Sequence, residues 1–133
     1  MLYLAGHPQK EGYVGIKEIS EQLDISFHFL TKILQTLTQE GLLRSLRGPA
    51  GGVTLNQKTK DINVLEVILL FEGKSFFDTC ILGLPGCGER KPCPMHDFWK
   101  QTQSSLQEKF RTTTLAELSE KVLTEGLRLS PCD

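Results

Sequence analysis

The stretch that decides the fold is Ile16-Lys-Glu-Ile-Ser-Glu-Gln-Leu-Asp-Ile-Ser-Phe-His-Phe-Leu-Thr-Lys-Ile-Leu-Gln-Thr-Leu37. Ile16, Ile19 and Leu23 recur at helical spacing, and Leu30, Ile33, Leu34 and Leu37 do so again before Gly41 stops the pattern. Asp24-Ile25-Ser26 is short enough to force a tight angle between the two helices, and Ser26 is placed to cap the second by accepting from its free amides. This is the spacing of a helix-turn-helix.

Moving toward the C-terminus, Leu42 to Leu46 and Val53 to Leu55 are short extended candidates. They are joined by Arg47-Gly-Pro-Ala-Gly-Gly52, whose glycines supply the dihedrals of a tight loop. The expectation is a two-stranded wing. Asn63 followed three residues later by Glu66 has the form of a capping box, and it starts a third helix that closes at Glu72-Gly73. From Ser75 to Pro94 periodicity is lost, which predicts a loop rather than a core element. From Asp97 Trp99, Gln103, Leu106 and Phe110 form one stripe, and Leu115, Leu118 and Val122 follow. A long helix with one apolar face needs a partner, and a second copy buries both stripes at once.

The fold class expected is mainly α with a small β wing: a winged helix-turn-helix plus a long dimerisation helix. The linear division is 1–73 for the winged helix, 74–96 for the cysteine-rich loop, and 97–133 for the dimerisation helix and C-terminal segment. Leu2, Leu4 and Ala5 running into Gly6-His7-Pro8 resemble the last turn of an apolar helix, so the first helix is expected to be truncated.

At 133 residues, with 39% hydrophobic residues and 6 Pro, the composition excludes a large multidomain enzyme and a mainly disordered chain. No apolar run approaches the roughly 18 residues that span a bilayer, and Met1-Leu-Tyr-Leu-Ala-Gly6 lacks the basic region of a signal peptide. A cytoplasmic protein without membrane partners is the default expectation. The formal charge of −1 averages unlike halves. Residues 26–60 contain Lys32, Arg44, Arg47, Lys58 and Lys60 against the single acid Glu40, so this segment suits a polyanion.

Double-stranded DNA is that polyanion if the second helix enters the major groove. Ser26, His28, Thr31, Lys32 and Gln35 are then the candidates at base edges and phosphates, with Arg44 and Arg47 flanking the wing and Gly48 and Gly51 letting amides approach phosphates. The same pattern also fits two packing helices and a hairpin with a solvated basic face, and His28 equally reads as a surface residue.

Four cysteines without a leader do not make a disulfide-framed secreted fold. Cys80-x6-Cys87-x5-Cys93-x2-His96 places three thiolates and an imidazole within 17 residues, a donor set for one soft metal centre. Spacing leaves three readings open: an iron–sulfur cluster, zinc, or reactive or buried thiols. Cys132, next to the C-terminal residue, reads as an incidental thiol. No nucleophile with an oriented base stands out, so no catalytic residue is expected.

The chain resembles the IscR/NsrR family of winged-helix transcriptional regulators, bacterial sensors of iron–sulfur status, nitric oxide or redox state. The residues that carry the resemblance are Ile16-Lys-Glu-Ile-Ser-Glu-Gln-Leu23, Ile25-Ser-Phe-His-Phe-Leu-Thr-Lys-Ile-Leu34, Gly41-Leu-Leu-Arg-Ser-Leu-Arg-Gly-Pro-Ala-Gly-Gly52, Cys93-Pro-Met-His-Asp-Phe-Trp99 and Thr113-Thr-Leu-Ala-Glu-Leu118. The resemblance implies a dimeric DNA-binding regulator, a repressor in the reading preferred here. Cys80, Cys87 and Cys93 would ligate a cluster, usually 2Fe-2S and in nitric-oxide sensors sometimes 4Fe-4S, with His96 as the fourth ligand of the IscR type. It further implies that Ser26, His28 and Gln35 lie on the recognition helix, Arg47 on the wing, and that the helix after Asp97 crosses the partner subunit. Two departures stand out: most of a first helix is missing here, and the first cysteine gap is six residues rather than the common five.

Overall fold

The computed structural model describes residues 1–6, 12–56 and 61–129. Its elements run α1 (Leu2–Gly6), α2 (Ile16–Leu23), α3 (Phe27–Gln39), β1 (Leu43–Leu46), β2 (Gly52–Leu55), α4 (Val64–Glu72), a 3-10 turn (Lys74–Asp78), α5 (His96–Thr112) and α6 (Leu115–Glu125). The expected winged helix-turn-helix is present. Two compact units cut across the linear division read from the sequence: among the described residues, 1–6, 12–56 and 61 with 115–129 form one, and 62–114 form the other.

In the first unit the periodic residues face inward as their spacing requires. Ile19 of α2, Leu30, Leu34 and Leu37 of α3, Leu43 of β1, and Val53 and Leu55 of β2 are all buried, together with Leu4 of α1 and Leu115 of α6. Full burial of each such side chain is worth about 1.5–3 kcal/mol. The turn between α2 and α3 is made by Asp24 in the left-handed region, φ 50°, which a short polar side chain tolerates. It is closed by Ile25 N donating to Ser20 O at 3.1 Å and Ser20 Oγ donating to Ile25 O at 2.6 Å. Ser26 occupies the N-cap of α3, but its hydroxyl does not accept from the first-turn amides, which corrects the expected capping bond.

The wing is antiparallel, with Leu43 opposite Leu55, Arg44 opposite Thr54, Ser45 opposite Val53 and Leu46 opposite Gly52. It also has a third partner that periodicity did not announce. Val14 N donates to Val53 O and Val53 N donates to Val14 O, both at 2.9 Å, so the residues before α2 dock the wing onto the helix-turn-helix.

In the second unit half of the capping box is realised: Glu66 N donates to Asn63 Oδ1 at 2.9 Å, while Glu66 Oε1 accepts at 2.6 Å from the Asn63 side-chain Nδ2, where a full box would take the backbone amide. The Ser75–Pro94 segment is not wholly a loop. Its 3-10 turn buries Phe77, whose ring stands edge-on to Phe76 at 4.9 Å and tilted against Phe110 at 6.3 Å. Both chain crossings out of this unit are tied together, because Val64 N donates to Thr113 O at 2.9 Å and Asn63 bridges Thr114. No residue of α4 or α5 is fully buried, although α4 reads Val-Leu-Glu-Val-Ile-Leu-Leu-Phe-Glu, and Phe98 of α5 is 62% exposed.

Candidate nucleic-acid interface and metal centre

Two sites emerge, one in each unit. In the first, α3 presents His28, Lys32 and Gln35 as exposed side chains, and Ser26 is exposed at its N-cap. A groove of about 560 Å³ runs between α3, the wing and the start of α2, bringing together Thr31, Gln35, Arg47, Gly48 and Gly51. Ser26, His28, Lys32 and Arg44 do not line it. Arg44 stands exposed on β1. The Thr31 hydroxyl donates to Phe27 O at 2.7 Å, so its proton is spent on the helix and only acceptor capacity is left for a ligand. Lys17, on the first turn of α2, also lines the groove, a cation that its place in an amphipathic pattern did not mark out. Lys58 and Lys60, counted in the basic segment, lie outside the described residues.

The second site is built by the chain around Cys80 and by the start of α5. Cys80, Cys87 and Cys93 are all free thiols, half-buried, with their sulfurs within 4.8 Å of one another. Cys80 Sγ lies 3.7 Å from Cys93 Sγ, and Cys87 Sγ lies 3.4 Å from His96 Nδ1. All four expected ligands therefore line one cavity of about 280 Å³. Cys132 lies outside the described residues.

Local bonds hold the donors in place. Gly83 N donates to Cys80 O at 2.9 Å, Cys87 N to Leu84 O at 3.3 Å, and His96 N to Cys93 O at 3.0 Å, so Cys80 and Cys87 each sit in a turn of their own and Cys93 and His96 share a third. The Thr79 carbonyl accepts from both Trp99 Nε1 at 2.9 Å and Gln103 Nε2 at 3.2 Å, fixing the residue before Cys80 to α5. Trp99 and Gln103 read in the sequence as members of an apolar stripe. Their role as supports of the cysteine loop had no sequence signal, because the acceptor is a backbone carbonyl. Lys100 Nζ bonds Glu89 Oε1 at 2.6 Å and ties the turn before Cys93 to α5; this exposed pair lowers the Glu89 pKa and raises that of Lys100.

His96 Nε2 is buried and has no hydrogen-bond partner among the described residues. A histidine serving only the fold normally has its buried nitrogens satisfied. The backbone amide of Leu84, assisted by that of Leu82 and by the Cys87 and Cys93 thiols, lowers the Cys80 pKa to about 7 despite desolvation. At Cys87 the Cys93 amide favours the thiolate, but desolvation and the neighbouring Cys93 and Cys80 sulfurs outweigh it and the pKa is raised. In reduced, metal-free protein Cys80 is therefore expected to react first with iodoacetamide, its rate rising with pH through a midpoint near 7, with Cys87 labelled later. Peptide mass spectrometry across pH 6–9 checks the order, and equal labelling of all three thiols would contradict it.

Residues 1–121 match the Rrf2 family, described as iron-dependent transcriptional regulators. The chain belongs to the Rrf2 family. Among Rrf2 relatives, the HTH-type transcriptional regulator IscR of Serratia proteamaculans is 35% identical over 118 residues, covering 89% of this chain and 71% of the relative. The crystal structure of Staphylococcus aureus CymR aligns with a TM-score of 0.68 at 27% identity, covering 90% of this chain and 88% of that one. T. potens IscR aligns with a TM-score of 0.70 at 24% identity over 96% of this chain and 83% of that one, a likeness of fold. The resemblance to IscR-type regulators read from the sequence is thereby established. This Rrf2 protein is a DNA-binding transcriptional regulator with a winged-helix fold. No helix among the described residues is long and apolar enough to cross a membrane.

Proposed function

We propose that this Rrf2 regulator is a homodimeric cytoplasmic repressor whose affinity for operator DNA is set by an iron–sulfur cluster, of the 2Fe-2S type, held by Cys80, Cys87, Cys93 and His96. The observation that carries the reading is the convergence of three free thiols and an imidazole on one cavity. A tetrahedral ion with bonds of about 2.3 Å separates its ligands by about 3.8 Å. The Cys80–Cys93 and Cys87–His96 pairs, at 3.7 and 3.4 Å, are each spaced as two ligands of one such ion, and a two-iron centre takes two pairs. When bound, the cluster supplies a redox-active charge that oxidants or nitric oxide can alter.

The chain's own residues supply the path to DNA. His96 opens α5, whose 17 residues end at Thr112. The next residue, Thr113, is clamped to Val64, where the polypeptide crosses back toward the DNA-binding unit. Order imposed on the cysteine loop through Thr79, Trp99 and Gln103 is therefore passed along α5 to both crossings. The incompletely buried apolar side chains of α4 and α5 support a second copy as the partner of this unit.

A second reading has its own support, since three sulfurs within 4.8 Å also suit one tetrahedral zinc ion. Anaerobic reconstitution separates the two. The cluster reading predicts visible absorption with matching iron and acid-labile sulfide, whereas a colourless, iron-free protein that takes up zinc would overturn it.

On the DNA side, α3 and the wing supply Lys32, Gln35 and Arg47. Replacing Lys32 and Arg47 together by alanine is expected to weaken binding to a selected duplex and to make the dependence of log K on log salt shallower by about two to four for a dimer. Fluorescence anisotropy over a salt series measures this, and an unchanged slope would remove both residues from the phosphate contacts.

A further inference from the structure

Two aromatic rings in the first turn of α3 are not absorbed by the core. Phe29 is 61% exposed and Phe27 45%, whereas Leu30, Leu34 and Leu37 of the same helix are buried. Their surroundings differ. Phe27 lines the groove facing the wing, with Thr31 and Gln35, and stands edge-on to the His28 ring at 5.8 Å. Phe29 precedes the buried Leu30 and Thr31 follows it, so at 100° per residue Phe29 stands on the flank opposite Thr31. It is a large apolar side chain offered to solvent at the end of the helix from which a helix-turn-helix reads bases.

The chemistry of the major groove narrows what such a ring meets. Base edges there carry hydrogen-bond donors and acceptors, and one apolar group, the 5-methyl of thymine. A phenyl ring has nothing to give a guanine or cytosine edge and loses solvation against either, whereas it gains apolar contact with a methyl. The neighbourhood favours nucleic acid over another protein surface: Phe27–Gln39 contains no acidic residue, its exposed cation is Lys32, and its first-turn amides are not capped by Ser26.

We infer that Phe29 is a specificity-determining residue that reads a thymine 5-methyl group in each operator half-site. This rests on the placement of α3 in the major groove. It adds an apolar reading position to the polar set of His28, Lys32 and Gln35, and it makes the operator carry a preferred thymine near the contact of the helix N-terminus.

The test starts with the full-length protein and a randomised duplex pool, from which bound sequences are selected for the wild type and for Phe29→Ala. Each thymine of the best wild-type duplex is then replaced singly by deoxyuridine, which removes only the methyl. Wild type is expected to lose about threefold to tenfold in affinity at one symmetric position. Phe29→Ala is expected to show the same loss on the thymine duplex, no further loss on the uracil duplex, and no thymine preference there in its selected motif, while Phe29→Leu keeps part of the discrimination. The uracil scan on wild type needs no variant, so it stands even if Phe29→Ala is unstable. Sequence-specific binding that ignores every methyl, or full thymine–uracil discrimination by folded Phe29→Ala, would overturn the inference alone. A change of oligomeric state in Phe29→Ala would make the ring an interface residue and overturn it too. Failure of wild type to enrich any duplex would overturn it together with the DNA reading.

Discussion

Replacing Cys93 by alanine is expected to reduce iron and sulfide content after reconstitution to less than about a tenth of wild type, and to lower operator affinity by about ten- to a hundredfold, the usual span of a coupling between two sites. Cys93 is the informative position because its backbone and side chain have separable work. Its carbonyl accepts from His96 N at 3.0 Å and its amide favours the Cys87 thiolate, and alanine keeps both. What alanine removes is the sulfur 3.7 Å from Cys80, without which neither Cys80 nor the site as a whole retains a full donor set. The variant should fold, with unchanged far-ultraviolet circular dichroism, and fail to hold metal. His96→Ala is expected to fall in between, since the three thiols remain. Iron and sulfide assays beside anisotropy check both variants, and a Cys93→Ala protein with full iron and full DNA affinity would remove this cysteine from the mechanism.

The largest effect on folding is expected at Gly52. Its φ is +154°, and a Cβ there would lie 2.1 Å from Val14 O and 2.5 Å from Val14 C, inside backbone that is itself held by the paired Val14–Val53 hydrogen bonds. Nothing flexible can move aside. Gly52→Ala must therefore break the docking of the wing or shift β2, at a cost of at least about 3 kcal/mol, corresponding to a fall in Tm of about 10 °C or more. Gly48 gives the control: its φ is +110°, but a Cβ there meets nothing within 4 Å, so Gly48→Ala pays only the conformational penalty of about 1 kcal/mol. Thermal unfolding followed by circular dichroism should rank the two well apart. Similar small losses in both would mean that the Val14 contact is not as tight as the geometry requires.

The parts of this molecule legible in its sequence are those set by local spacing. The two helices of the helix-turn-helix follow from Ile16 through Leu37 because burial of one helical face repeats at a fixed period, and the Asn63–Glu66 cap follows because both partners lie within one turn. The convergence of Cys80, Cys87, Cys93 and His96 on one cavity was legible for another reason: thiols and an imidazole are rare enough in a loop that their residue types draw attention before geometry does. What was missed is non-local or depends on orientation. Val14 pairs with Val53 across the whole helix-turn-helix, and Phe77 is buried in an aperiodic stretch because Phe76 and Phe110 cover it. Ser26 sits where a cap belongs without its hydroxyl accepting from the helix amides, and the Thr31 proton is taken by Phe27 O. Neither can be read from residue identity, since both serine and threonine satisfy themselves in several ways.

The central claim is that one site, Cys80, Cys87, Cys93 and His96, sets DNA affinity through the cluster it holds. The most direct measurement is the affinity of a single anaerobic preparation for its selected duplex, taken with the cluster in place, after removal by chelation, and after reconstitution, with iron and sulfide assayed at each stage. The account predicts a loss of about ten- to a hundredfold on removal and recovery on reconstitution. Equal affinity at all three stages, with iron confirmed present and then absent, would contradict it.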